Sequence, residues 1–546
     1  MSNTKAKVMN SSASLDKYPP QIKYIVGNEA CERYSYYGMR SILTIFLISS
    51  LGLTKLEGTS LYHVFAGICY LFPLYGAFIS DRYWGKYKTI LYLSLVYCVG
   101  HLYLAIFETS AIGFTTGLAL IALGSGGIKP CVSAHVGDQF KKGQETLLNK
   151  VFNLFYFMIN FGAMFSTLIT PWTLDKYGAH WAFGIPGVLM AIATVIFWMG
   201  RDKFVHVPPQ EKAPKGFNAM FWGCVALTGA MPLLPSLVES VGLKAIMFLP
   251  AIGLFFVVIY GMIMSKDKNT FTKMLYSKVT KGAGTATKIH GEENIDGLNA
   301  VLGVSTVFLM ITFFWALFDQ HGSTWVLQAK DMNLNVAEAL PTFTNIWSSI
   351  MTPIYGMFGA EYVASWNILP SQVAALNPIM VMSLIPIFTF VIYPLLNKIT
   401  PMTPLKKMGL GMFVAGASFI IVALIQAQLD AGNKINVAWQ VIPYLVITMA
   451  EVMVSITALE FSYTQAPKSM KSTVMGMFLL TVFFGNMFTS YAASAANSIT
   501  EMAASMGVTA SKEYIFFMFF AVVMFVAAII FGLIANQYKV RNYMED

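Results

Sequence analysis

Apolar stretches of about 20 residues recur along almost the whole chain, and this repetition constrains the fold more than any other feature. A helix of that length spans the hydrocarbon core of a bilayer. Because lipid offers no partner to open backbone N–H and C=O groups, such stretches are expected to cross the membrane as α-helices. Fourteen are expected, near residues 24–50, 62–80, 88–107, 110–128, 149–172, 180–200, 217–238, 243–265, 299–322, 377–396, 405–427, 439–460, 473–495 and 514–536.

Charged residues make up only 12% of the 546 residues, against about 25% in a soluble globular chain. The composition therefore excludes a soluble enzyme, a disordered chain and a secreted disulfide scaffold. The cysteines lie in or beside the apolar stretches without metal-ligand spacing, so we expect them to be small packing residues. They are Cys31, Cys69, Cys98, Cys131 and Cys224.

The basic residues predict the orientation of the chain in the membrane. With both termini placed inside, 27 of the 36 Lys and Arg fall in inner segments and six in outer segments. This asymmetry is the one expected of cytoplasmic loops. It also explains the net charge of +9 as topology, so nucleic acid is not an expected partner.

The grouping of the helices predicts two six-helix bundles with two further helices between them. The expected units are an N-terminal tail (1–20), a first bundle (21–202), a linker with two extra helices near 217–238 and 243–265 (203–298), a second bundle (299–537) and a C-terminal tail (538–546). No loop is long enough for an ATPase domain, and the GxxxxGK[ST], HExxH and GxSxG patterns do not occur. No cofactor is therefore expected.

The first helix carries charged residues where charges are costly. Six residues form one continuous stripe by their helical spacing: Glu29, Glu32, Arg33, Tyr36, Tyr37 and Arg40. The stripe has two interpretations, a polar cavity or a self-neutralising patch that only fixes packing. Lys129 in the fourth helix adds a cation in excess, which favours the cavity.

The second half of the chain carries the opposite charge at comparable depth. Asp319 and Glu451 lie within apolar stretches, and Ser455 follows Glu451 by one helical turn. A protonated, hydrogen-bonded core carboxyl is the alternative for Glu451. Further polar residues in the apolar stretches are Asn153, Tyr156, Asn160 and Asn377, for which interhelical hydrogen bonding is the alternative.

A cationic half facing an anionic half suits a small zwitterion. Its carboxylate would turn to Arg33, Arg40 and Lys129, and its amine to Glu451. Aromatic side chains are candidates for apolar and cation–π contacts with it, although each alone is more often a packing residue. These aromatics are Tyr37, Tyr70, Tyr156, Trp315 and Phe318.

Two motifs resemble known families. The segment Gly76-Ala-Phe-Ile-Ser-Asp81-Arg82-Tyr-Trp-Gly85-Lys86 resembles the helix 2–3 loop of the major facilitator superfamily, and Glu29-Ala-Cys-Glu32-Arg33-Tyr34 resembles the ExxER[FY] motif of the proton-dependent oligopeptide transporter (POT) family. Segments beginning at Gly124, Phe155, Phe314 and Glu451 are similar to further motifs of the same family. The extra helix pair resembles that of bacterial members, which implies a bacterial inner membrane.

The resemblance implies a proton-driven importer of di- and tripeptides that functions as a monomer. In it, Arg33, Arg40 and Lys129 would hold the peptide carboxylate, Glu451 and Asn377 the amino terminus, and Asn160 and Tyr156 the peptide backbone. Glu29 and Glu32, with Arg33 and Lys129, would couple the proton. His63 and Asp319 are implied in coupling and, with Arg40, in an outer gate, although a lone helical histidine is usually a packing residue.

Two rival functions stay open. A transporter of the same fold could import another small anion, such as nitrate or an organic acid, but it would not need Glu451 opposite the cations. A membrane enzyme or a peptide-sensing receptor would bind its ligand without cycling it across the membrane.

Overall fold

The computed structural model describes residues 18–140, 144–265, 267, 269, 271–342, 344–345, 348–349, 352, 366–465 and 471–538. The described residues are helical apart from loops and two isolated β-bridges. Twelve helical segments among them are long and apolar enough to cross a membrane. The all-helical membrane fold expected from the apolar stretches is therefore confirmed.

Six long helices form the first bundle. Helix α1 packs against α5 and α6, and α4 packs against both α2 and α3. A capping box between Thr54 and Glu57 begins α2, and Gly85, at a φ of 76° that favours glycine, separates the end of α2 from α3. The helices are α1 (Ile22–Ser49), α2 (Lys55–Ile79, continued by a π turn Ser80–Trp84), α3 (Lys86–Ile106), α4 (Ala111–Asp138), α5 (Glu145–Tyr177) and α6 (Ala179–Met199).

The linker between the bundles contains five helices. Helix α9 packs against α7, α2 and α4, so the extra pair lies against the first bundle. Tyr83, at the end of α2, fixes this position by donating a hydrogen bond to the carbonyl of Gly261 (2.8 Å). The five are α7 (Phe217–Gly229), α8 (Pro235–Val241), α9 (Leu243–Met264), α10 (Phe271–Lys281) and α11 (Ala283–His290).

The second bundle is built from helices that are interrupted by short 3₁₀ and π turns. Helix α12 packs against α19, and α16 against α21 and α17. They are α12 (Glu292–Phe318), α13 (Thr324–Lys330), α14 (Leu376–Ile387), α15 (Tyr393–Ile399), α16 (Pro404–Asp430), α17 (Val441–Glu451), α18 (Thr457–Thr464), α19 (Lys471–Ser494), α20 (Ala496–Ser505) and α21 (Lys512–Gln537).

Buried apolar side chains form two large cores, one within residues 22–258 and one within residues 274–531. Helices α2 and α19 join the bundles along one side. We call the end at which α1 begins the inner end, because the cationic segments 82–88 and 201–215 lie there, and the opposite end the outer end. The domain limits expected from the sequence stay predictions.

The structure differs from the expected helices at several bounds, two of which have a cause in the sequence. The stretch 217–238 breaks at a 3₁₀ turn, Met231–Leu233, where Pro232 and Pro235 interrupt the helix. Helix α12 begins at Glu292, seven residues earlier than expected, because acidic residues are favourable in a first helical turn.

Candidate functional site

A cavity of about 230 Å³ lies between the two bundles. Helices α1, α2 and α5 line one side, and α12, α14 and α17 line the other. Eight of the eleven predicted substrate-binding residues line this cavity: Tyr37, Arg40, Tyr70, Asn160, Trp315, Asn377, Glu451 and Ser455. Residues far apart in the sequence therefore meet at one place.

The other three predicted substrate-binding residues lie outside the cavity wall. Arg33 on α1 and Lys129 on α4 are not among the residues that line the cavity, and Tyr156 is 41% exposed on α5. Asn160, which does line the cavity, donates its amide to the carbonyl of Tyr156 (3.0 Å). The side chain of Asn153 lies outside the described part of the chain.

The two acids of the α1 stripe share one cation. Arg33 Nε lies 2.6 Å from Glu29 Oε1 and 3.2 Å from Glu32 Oε2. The Arg33 side chain is 11% exposed, and each glutamate side chain is 2% exposed. A carboxylate buried this deeply is costly unless it is paired. One guanidinium faces both acids, and neither oxygen of Glu32 has a hydrogen bond within the described part of the chain.

Lys129 is held by aromatic rings and not by a carboxylate. Its ammonium lies 4.4 Å from the ring centroids of both Tyr36 and Tyr70. The nitrogen is buried and has no hydrogen-bond partner in the part of the chain that the structure describes. Tyr70 also lines the cavity, so one ring contacts both Lys129 and the space for a ligand.

The opposite wall carries a carboxylate without a cation. Asn377 donates its amide to Glu451 Oε2 (2.7 Å) and also contacts Thr448 Oγ1 (3.2 Å). No Lys, Arg or His among the described residues forms an ion pair with Glu451. Its carboxylate is thus oriented by an amide and faces the cavity with its charge uncompensated.

Helix irregularities place the acidic side chains of the second bundle. Glu451 ends α17, and a π turn, Val452–Ile456, follows it and carries Ser455. Asp319 begins the 3₁₀ turn that follows α12. Such turns frequently mark functional positions within helices, and here they direct polar groups towards the cavity.

A hydrogen-bonded chain closes the outer end of the cavity. Arg40 Nη2 lies 2.5 Å from Asp319 Oδ1, and Arg40 Nε donates to the hydroxyl of Tyr62 (2.8 Å). Asn486 on α19 donates to Asp319 Oδ2 (2.6 Å), and its carbonyl lies 2.8 Å from His63 Nδ1. The expected neighbours Arg40 and Asp319 are in contact, whereas His63 reaches Asp319 only through Asn486.

This chain determines the tautomer of His63. A carboxylate only accepts hydrogen bonds, so Asn486 turns its NH₂ group to Asp319 and its carbonyl to His63. Neutral His63 must then carry its proton on Nδ1, and Nε2 accepts from the hydroxyl of Ser323 (2.9 Å). A second proton on Nε2 would reverse the bond to Ser323 and leave the bond to Asn486 intact.

Some contributors were missed by the sequence analysis. Tyr62, Asn486 and His321 were not predicted as site residues, although Tyr62 and His321 line the cavity and Asn486 joins His63 to Asp319. Asn486 is an amide within an apolar stretch, the same signal that identified Asn160 and Asn377, and His321 follows Asp319 by two residues. Their partners could not be read from the sequence because they lie on other helices.

Two helical bundles that face each other across a polar cavity have the architecture of secondary membrane transporters. A family profile described as the POT family matches residues 87–363 and 357–510. The chain belongs to this family of peptide transporters.

Known relatives agree with this assignment. The chain is 34% identical over 436 residues to peptide transporter 3 of Caenorhabditis elegans (76% of this chain, 52% of the relative) and 34% identical over 465 residues to solute carrier family 15 member 1 of Mus musculus (79% and 56%). It thus spans about half the length of the curated relatives it matches. These relatives are animal proteins, so the expected bacterial origin is not confirmed.

Two solved structures match almost the full chain. One is an auto-inhibited POT family peptide transporter, with a TM-score of 0.75 and 37% identity over 96% of this chain and 98% of that chain. The other is the POT family transporter PepTSo, with a TM-score of 0.76 and 39% identity over 96% and 99%.

Proposed function

We propose that the protein imports di- and tripeptides together with protons by alternating access. The observation that carries the proposal is the charge division of the cavity, with Arg40 on the first bundle and an uncompensated Glu451 on the second. A short peptide at neutral pH carries a charge of each sign at its two ends. The cavity is therefore complementary to a peptide, and membership of the POT family supports that substrate class.

The peptide amine binds Glu451 in this proposal. Asn377 occupies only one oxygen of the carboxylate, which leaves acceptor capacity for an ammonium group. Tyr37, Tyr70 and Trp315 provide apolar and aromatic surface between the charged walls. They accommodate side chains without specific hydrogen bonds, which suits a carrier of many different peptides.

The peptide carboxylate binds the cationic wall. Arg40 lines the cavity and is paired with Asp319, so a peptide carboxylate bound there would compete with that ion pair. Arg33 is occupied by Glu29 and Glu32, and Lys129 contacts the rings of Tyr36 and Tyr70. Protonation of one glutamate removes part of the charge that holds Arg33, so Arg33 becomes available to the carboxylate. Arginine itself keeps its proton, so the glutamates are the proton carriers.

The driving force is the proton gradient. Each inward proton gains about 2.3 kcal/mol per 100 mV of inside-negative potential. Proton and peptide must favour the same conformational change for this energy to be coupled. The Glu29–Arg33–Glu32 cluster supports such coupling, because proton and carboxylate act on the same guanidinium.

The polar contacts at the outer end support an inward-facing conformation in this proposal. Contacts between the bundles cluster near the outer end, including Arg40 with Asp319 and Ser60 Oγ with Ser490 Oγ (2.7 Å). Opening at the outer end requires these cross-bundle contacts to break.

The proposal extends to location and assembly. The protein resides in a cell inner membrane with its termini in the cytoplasm, works as a monomer and needs no cofactor. Its partners are peptides, protons and lipid.

Uptake into proteoliposomes tests the function. Di-alanine should accumulate when an inward proton gradient is imposed and should only equilibrate without one. Accumulation of nitrate or an organic acid in place of di-alanine would favour the rival anion importer. Binding of di-alanine without counterflow would favour a peptide sensor.

A further inference from the structure

A groove on the outside of the first bundle meets a basic pocket at its inner end. The groove, of about 390 Å³, lies between α3, α4 and the extra helix α7, and its walls include Leu95, Val99 and Val225. Leu95 and Val99 are 53% and 44% exposed. In a membrane helix, such an exposed apolar surface faces acyl chains.

The basic pocket continues the groove toward the cytoplasm. It has a volume of about 500 Å³ and shares Tyr92 and Trp222 with the groove, and Lys88 and Lys212 lie in its wall. Both lysines are exposed. Neither forms a hydrogen bond or ion pair with another residue of the described part of the chain.

An aromatic cluster lies where the groove and the pocket meet. The rings of Trp84 and Trp222 stack with centroids 5.9 Å apart, and Tyr92 lies 5.8 Å and 6.0 Å from them. The Trp84 indole donates to Asn218 (2.9 Å). Trp and Tyr gather at the level of lipid headgroups, so this cluster places the basic pocket at headgroup depth and the groove at acyl-chain depth.

We propose that this continuous surface binds an anionic phospholipid of the cytoplasmic leaflet. One acyl chain lies in the groove between α3 and α7, and Lys88 and Lys212 hold the charged headgroup. The two lysines distinguish this site from ordinary lipid contact, because basic pockets between membrane helices on the cytoplasmic side favour anionic headgroups. The extra helix α7 forms one wall of this site. The site therefore gives the extra helix pair a function, whereas no residue of that pair lines the central cavity.

Lipid titration of the purified full-length protein in detergent tests the site. Phosphatidylglycerol and phosphatidylcholine with identical acyl chains are compared, and bound lipid is counted by native mass spectrometry. The wild-type protein should retain more phosphatidylglycerol than phosphatidylcholine. Each lysine contributes roughly 5-fold to the affinity, so Lys88→Gln with Lys212→Gln should weaken phosphatidylglycerol binding about 25-fold.

Two further variants test whether binding depends on this groove and on these two lysines. Ala226→Trp fills the groove while both lysines remain, and it should also reduce phosphatidylglycerol binding. Lys281→Gln with Lys288→Gln removes the same charge from exposed inner positions away from the groove and should leave binding unchanged. Equal retention of both lipids by wild type, full binding by Ala226→Trp, or equal loss in the control pair would each overturn the proposal.

Discussion

Glu451 is the residue on which substrate recognition depends most directly in this account. Its carboxylate faces the cavity with one amide partner, Asn377, and no cation. A buried charge is costly without a partner, so this position is most stable when a ligand supplies the positive charge. In the proposed function, the peptide amine is that ligand.

Glu451→Gln is expected to weaken binding of free-amine dipeptides about 10–150-fold, because a charge-assisted hydrogen bond contributes roughly 1.5–3 kcal/mol. Competition with labelled substrate in counterflow measures the affinity. An N-acetylated dipeptide is the matched probe, since it lacks the charged amine and should bind the variant and the wild type alike. Unchanged affinity for di-alanine would place the amine elsewhere.

Asn486 is expected to hold His63 beside the Arg40–Asp319 pair, since it bonds to both His63 and Asp319. The charge that His63 gains on protonation then acts on that pair. Asn486→Ala should change the pH profile of uptake to that of His63→Gln, and the double variant should show no additional change. The measurement is initial uptake rate against external pH.

Thr489 provides the control for Asn486. Its hydroxyl donates to the carbonyl of Ala316 (2.8 Å), so Thr489 links α19 to α12 without contacting a titratable group. Thr489→Val should lower stability without altering the pH profile. An equal pH change in both variants would reduce Asn486 to a packing role.

At the scale of helices, apolar length and charge periodicity predicted most of the architecture. The spacing of Glu29, Glu32 and Arg33 placed them together on α1, and they are in contact. Lys129 was expected near the acids. The contacts of its ammonium with tyrosine rings were not predicted, because the sequence does not tell which faces of α1, α2 and α4 meet. The π turn after Glu451 also has no local signal, since no Pro or Gly marks it.

The π turn at the end of α2 is expected to anchor the extra helix pair. Arg82 contacts Glu211 (2.9 Å), Ser265 (2.7 Å) and Asp267 (2.9 Å), which flank that pair in the chain. Arg82→Gln should destabilise the protein by about 1–3 kcal/mol, since these are charged hydrogen bonds at a partly buried site. A fall in the thermal midpoint in detergent measures the effect.

Arg201 is the matched control for Arg82. It pairs with Asp202 at 3.6 Å, and the two side chains are 39% and 80% exposed. Because exposed pairs contribute about 0–1 kcal/mol, Arg201→Gln should leave the thermal midpoint nearly unchanged. Equal effects of the two substitutions would show that Arg82 does not anchor the linker.

At the scale of the whole molecule, transport requires the outer contacts between the bundles to open. Ser60 on α2 and Ser490 on α19 form one of these contacts, so cysteines at both positions should form a disulfide under oxidation. This crosslink should abolish counterflow, and a reductant should restore it. Undiminished counterflow in the crosslinked protein would contradict alternating access at this interface.

A crosslink within the extra pair serves as the control. A Cβ at Gly253 would lie 3.5 Å from Cβ of Cys224, within the range of disulfides. Gly253→Cys should therefore crosslink α7 to α9, and counterflow should continue because both helices lie against the first bundle.

The coupling of proton and peptide through Arg33 is the central claim, and Glu32→Gln tests it most directly. Glutamine resembles the protonated acid, so Arg33 stays available to the peptide while no proton is exchanged at this position. Gradient-driven accumulation of di-alanine and counterflow are measured on the same proteoliposomes, with Glu29→Gln in parallel. The account predicts that both variants lose accumulation and that at least one keeps counterflow. Loss of expression, counterflow and accumulation together in both would mark the cluster as structural, and retained accumulation in both would contradict the claim.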